Sequence, residues 1–149
     1  MTQRNAAAFM RHMMRLKQIQ AFRAMRKAAS GGADEKLQMT ETRIYVGLND
    51  AETRTQEHDT EHYLSGMKEI CKKHHVAFSV DLEQGGYYHE DGEYTEENSL
   101  VLILIDADAA LVRRIAKELC AAFHQESVPV TEDRVSGSFI SAEAEAAEE

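Results

Sequence analysis

The sequence has no tryptophan, a single proline, two cysteines and no apolar run near the roughly 20 residues that cross a bilayer. The last absence excludes a transmembrane helix. One proline in 149 residues leaves few enforced breaks, and 43% hydrophobic residues argue against compositional disorder. Cys71 and Cys120 lack C-x-x-C spacing and fall at helical core or flank positions, so they read as free thiols. Neither G-x-G-x-x-G nor G-x-x-x-x-G-K-S/T occurs, which removes the nucleotide motifs. His58 and His62 are four apart, yet H-D-T-E-H lacks the glutamate placement of H-E-x-x-H, and both read as solvated. No metal and no cofactor is expected.

Charge is unevenly spread. The total is -9, but residues 1–33 carry seven Arg or Lys and no acid, while the remainder carries ten bases against all 26 acids. An acidic body repels a nucleic-acid backbone, whereas a basic leading segment is drawn to such a backbone, to an anionic surface or to an acidic protein face. Arg11, Arg15 and Lys17 interrupt the apolar residues of that segment, making it a poor secretory signal. A cytoplasmic protein is expected.

Asn5 to Ala29 has strong helix composition, closed by Ser30-Gly31-Gly32. Met10, Met13, Leu16, Ile19, Phe22 and Met25 recur every third position, so they wind around the helix and do not form one stripe. Met-rich faces adapt to varied surfaces. Met10, Met13, Arg15, Leu16, Ile19, Phe22 and Arg23 are therefore the candidate partner-binding residues of this helix. Residues 34–42 read as a linker, 43–140 as the folded domain and 141–149 as an acidic tail.

The domain is organised around Leu100 to Ile105, six apolar residues in succession that require cover on both strand faces, as an internal strand does. Arg43 to Asn49 alternates as a strand, with Ile44, Val46 and Leu48 on one face. A helix is expected from Thr53–Thr55 to about His74, with Tyr63, Leu64, Met67, Ile70, Cys71 and His74 on its core face. Val76 to Glu83 alternates with a polar outer side, which suits an edge. Gly85-Gly86 predicts a bulge or bend, and Asp91-Gly92 a hairpin turn. A second helix begins near Asp106–Ala110, capped by Asp106 or Asp108, and buries Leu111, Val112, Ile115, Leu119 and Ala122. The last strand lies within Glu126–Val135, at an edge because of Pro129.

The order β-α-β-β-α-β is satisfied by a ferredoxin-like two-layer α+β sandwich, a four-stranded antiparallel sheet with both helices on one face and the first and third strands central. Its other face would hold Tyr45, Val101, Ile103 and Ile105, an apolar patch expected to be covered by a second subunit, by the leading helix, or by both. A homo-oligomer, with a dimer favoured, follows.

The strand Tyr45-Val46-Gly47-Leu48, Gly86-Tyr87-Tyr88 with Asp91-Gly92, Glu97 with Ser99 ahead of the apolar strand, and Phe123-His124-Gln125-Glu126-Ser127-Val128 together resemble an uncharacterised bacterial family of small proteins carrying a domain of unknown function. The resemblance covers about residues 43–135. Several members look like secreted or lipoprotein-type chains, and the resemblance implies no catalytic assignment.

No catalytic constellation stands out, and the reading favours a non-enzymatic oligomeric module acting on a protein partner as a small regulator or inhibitor. Nucleic acid is disfavoured, since the open sheet face offers aliphatic residues where RNA-binding sheets present aromatic and basic ones. The alternative is a small-ligand sensor or small enzyme near the tyrosine-rich ribbon, using Tyr45, Tyr87, Tyr94, Glu97, Gln125 and Glu126; aromatic faces with a few polar groups are the usual contents of such a site.

Overall fold

A computed structural model describes residues 36–142. The basic Met-rich segment, with Met10, Met13, Arg15, Leu16, Ile19, Phe22 and Arg23, lies outside the described residues, as does most of the acidic tail. Four strands and two helices follow in the order β1 (Leu37–Gly47), α1 (Thr60–Lys73), β2 (Ser79–Tyr88), β3 (Tyr94–Ile105), α2 (Ala109–Ala122) and β4 (Val130–Gly137). The sheet order is β2-β3-β1-β4, with β3 antiparallel to both β1 and β2. This is the expected βαββαβ ferredoxin-like sandwich, with β1 and β3 central and β2 and β4 at the edges.

Two compact units make up the described chain. The smaller contains Lys36–Met39 and Arg134–Ala142, where the Gln38 amide donates to Ser136 Oγ at 2.8 Å. The larger, Thr40–Asp133, contains the core. Ile44, Val46 and Leu48 of β1 and Leu100, Leu102 and Leu104 of β3 share one face, and Tyr63, Met67, Cys71, Leu111, Val112, Ile115 and Leu119 of the helices pack against it. Burial pushes the Cys71 thiol up to about 12, so it stays protonated and acts as a small apolar core residue. Cys120 is also free, its thiol donating to Gln125 O at 3.1 Å.

Several boundaries differ from the sequence expectation. β1 begins at Leu37, inside the expected linker, and within that stretch Glu41 and Thr42 pair with Ile105 and Leu104 of β3. The polar run Glu41-Thr42-Arg43 hides that pairing from a reading based on hydrophobic alternation. α1 starts at Thr60, capped by Asp59, whose carboxylate accepts from the His62 amide at 2.8 Å. The preceding residues form a loop held by Asp50, which accepts from the Glu52 and Thr53 amides at 2.8 and 3.2 Å. α2 is capped by Asp108, whereas Asp106 adopts φ 50° and accepts from the Thr40 amide at 2.8 Å. Ala122 is exposed, and Phe123 is buried just beyond the helix.

Gly85-Gly86 forms no bulge. Both pair in an unbroken ladder, Gly85 with Glu97 and Gly86 with Glu96, that runs out to Tyr88 opposite Tyr94. Gly86 is small for a different reason: the Tyr94 ring lies over it, 2.7 Å from where a Cβ would sit. The turn at Asp91-Gly92 is as expected, with Gly92 at φ 86° and Asp91 accepting from the Glu93 amide at 3.0 Å.

Candidate functional site

Residues paired directly across antiparallel strands project to the same side of the sheet. The register therefore sorts the candidate side chains. Tyr45 pairs with Val101 and Val101 with Asp81; Ser99 pairs with Gly47 and Glu83; Glu97 pairs with Gly85, and Tyr87 with Thr95. All of these lie on the face away from the helices. Tyr94 and Tyr88 pair with each other on the opposite face, their rings 5.2 Å apart. The expected ligand set is thus divided: Tyr45, Tyr87 and Glu97 share the open face, Tyr94 does not, and Gln125 and Glu126 lie in the connection after α2.

The aliphatic patch of that face is unevenly exposed. Val101 is 0% exposed, Tyr45 and Ile103 are half-buried, and Ile105 is 45% exposed.

Glu97 occupies a gap in the side-chain layer. Its partner on β2 is Gly85, with no atom within 4 Å of where a Cβ would be. Across β3, its carboxylate lies over Gly47, each of its three end atoms within 2.7 Å of that residue's missing Cβ. Only glycine permits this approach. Glu97 Oε2 accepts from the Asn49 amide at 3.1 Å, and no cation pairs with Glu97 among the described residues. Farther along β1, opposite Ile103, the guanidinium of Arg43 is engaged by Glu41 at 2.9 Å, which holds it above its ordinary pKa, chiefly through that hydrogen bond. Tyr45 of β1 and Tyr87 and Thr95 of the ribbon share this face of the sheet; His89 Nε2 is 2.8 Å from Thr95 Oγ1, and its ring is 4.8 Å from that of Tyr87. A half-buried carboxylate with no cation paired to it among the described residues is chemistry for a cation.

The end of the sheet beside Glu97 is tightly tied. Asn49 donates its side chain to Glu96 O at 3.2 Å, and its carbonyl accepts from the Gln125 amide at 2.7 Å. Gln125 thus fastens backbone and has no free amide nitrogen directed at the gap. Asn98 donates to Gln56 at 3.0 Å and accepts from Gln84 at 3.2 Å. Asp50, next to Asn49, faces His124 Nδ1 at 3.1 Å. Its carboxyl is held below the usual range, foremost by the Glu52 and Thr53 amides and then by His124. His124 was missed by sequence reasoning; the Asp50 pairing spans the fold and leaves no local signal.

His58 and His62 stack with centroids 4.1 Å apart, and no group of three metal-ligating side chains occurs among the described residues. No helix among the described residues is long and apolar enough to cross a membrane.

No family model and no curated protein matches the chain. Solved structures do. A phage SAM lyase in complex with S-methyl-5′-thioadenosine is 26% identical, with a TM-score of 0.52, over 72% of this chain and 97% of that one. The apo phage SAM lyase is 26% identical, with a TM-score of 0.54, over 74% and 98%. The fold is therefore distantly related to that of a ligand-binding enzyme. This overturns the expectation of a non-enzymatic chain, and it favours the small-ligand alternative over the protein-interaction module. The expectation rested on the absence of a local motif, whereas strand register is what brings the candidate residues to one face.

Proposed function

We propose that this protein is a small enzyme that binds S-adenosylmethionine and cleaves it as a lyase, with the sulfonium held at Glu97 on the open sheet face. The observation carrying this reading is that nearly the whole length of the phage SAM lyase is matched here. The site chemistry supports it. A sulfonium is a cation without hydrogen-bond donors, so it is recognised by a carboxylate and by aromatic faces, and Glu97, Tyr45 and Tyr87 share one side of the sheet.

Release of S-methyl-5′-thioadenosine requires the bond between sulfur and the methionine Cγ to break, with both electrons staying on sulfur. The carbon chain then completes its valence internally, by attack of its own carboxylate on Cγ or by loss of a Cβ proton. Glu97 acts here as a binding and orienting group. Its attraction to the sulfonium belongs to the ground state and fades as sulfur becomes neutral. Half-burial on the sheet strengthens that attraction relative to water.

The test incubates the full chain with S-adenosylmethionine and separates products by liquid chromatography against a protein-free blank. S-methyl-5′-thioadenosine above the blank is expected, and Glu97→Gln, which keeps an acceptor for the Asn49 amide, should raise KM about tenfold with a smaller change in kcat. No product above the blank overturns the assignment.

A further inference from the structure

On the helix-bearing side of the sheet, away from Glu97, a groove of about 730 Å³ runs between α2 and β4. That volume lies within the roughly 300–1,000 Å³ typical of small-molecule sites. Its floor is mostly apolar, with Val112 of α2 at its base. Its two walls carry opposite charge. Arg113 and Lys117, one turn apart on α2, stand on one; Glu126 of the following loop and Glu132 of β4 stand on the other. Among the described residues these four side chains make no ion pair with one another or with any other residue.

Thr42 adds a second, independent feature. It lines the groove, is 2% exposed, and its hydroxyl has no hydrogen-bond partner among the described residues. No buried side-chain oxygen lacks a partner among the described residues, so the Thr42 hydroxyl keeps access to the groove and is free to pair with a ligand there.

We infer that this groove binds a short apolar peptide with both termini free. Arg113 and Lys117 take the carboxylate, Glu126 and Glu132 take the ammonium, and the Thr42 hydroxyl pairs with a backbone amide between them. A ligand with one charge would leave one wall unmatched, and a single amino acid would bridge the walls without offering an amide. The inference is independent of the SAM-lyase reading, since none of these residues lies on the open sheet face.

The test titrates the full chain, labelled for amide NMR, with tri-leucine and with its N-acetylated and C-amidated forms. Saturable shifts at Thr42, Arg113 and Glu132 are expected, with affinity falling about tenfold for each capped terminus. The Arg113→Gln/Lys117→Gln variant should bind the free and amidated peptides equally, and Glu126→Gln/Glu132→Gln the free and acetylated ones. Absence of saturable shifts, or equal binding of a doubly capped peptide, overturns the inference.

Discussion

Replacing Gly47 by alanine tests whether the open face is built around Glu97. A Cβ at position 47 would lie 2.6 Å from the Glu97 carboxyl carbon and Oε1 and 2.7 Å from Oε2. These atoms end a flexible side chain, so Glu97 swings away and the 3.1 Å bond to the Asn49 amide is lost. A hydrogen bond to a charged group contributes about 1.5–3 kcal/mol, and the half-exposed setting puts this one near the lower bound. Alanine recovers about 0.5–1 kcal/mol over glycine within a strand. The net cost is then about 0.5–1 kcal/mol, a fall in Tm of about 1–4 °C for a domain of this size. The informative measurement is a double-mutant cycle by urea denaturation. In a Glu97→Ala background the clash and the bond are both gone, so Gly47→Ala should become stabilising by about 0.5–1 kcal/mol, a coupling of about 1.5 kcal/mol. If alanine destabilises by the same amount in both backgrounds, Glu97 does not occupy the space over Gly47.

Three further outcomes follow from contacts elsewhere. Glu118 joins the helices by accepting from Lys73 Nζ and contacting His74 Nε2, both at 2.9 Å, and the Lys73 hydrogen bond foremost holds its carboxyl below the ordinary 4.5. A lowered carboxylate stabilises above its unfolded pKa and loses that contribution as pH falls through its folded pKa; the urea midpoints of wild type and Glu118→Gln should therefore differ near about pH 6 and converge near about pH 3. Parallel midpoints across that range would refute this. His75 sits just past α1 at φ 52°, where glycine is favoured, so His75→Gly should raise stability by about 0.5–1 kcal/mol in the same assay. The Glu97→Gln kinetics described above provide the functional counterpart.

Much of the fold was legible in the sequence because its core obeys simple periodicity. Leu100 to Ile105 demanded an internal position, and the turn at Asp91-Gly92 fixed the hairpin. Boundaries failed where polar residues formed the ladder, as at Glu41 to Arg43, and where a loop was mistaken for helix, as at Thr53 to Asp59. The candidate site was only partly legible. Tyr45, Tyr87 and Glu97 were named together, but which tyrosines share a face depends on register, and Tyr94 falls on the wrong side by one position of parity. The glycine gap beside Glu97 was invisible because Gly47 and Glu97 are far apart in the chain. Gln125 was named as a ligand group near the ribbon, yet its amide is occupied by Asn49 and Phe123 carbonyls.

The two pairings of β3 also differ in how far the chain must travel to make them. Tyr88 meets Tyr94 across a six-residue separation, whereas Gly47 meets Ser99 across 52 and Glu41 meets Ile105 across 64. Loop closure makes the hairpin inexpensive to start and the β1 pairing slower to complete. The ribbon that carries Glu97 is expected to gain protection first in pulsed hydrogen exchange, and β1 afterwards. Until β1 docks, Glu97 has neither Gly47 beneath it nor Asn49 to hold it. A chain caught partway through refolding would display the tyrosine ribbon with Glu97 unanchored, so the placement of that carboxylate waits on a closure such as that of Gly47 with Ser99, 52 residues apart.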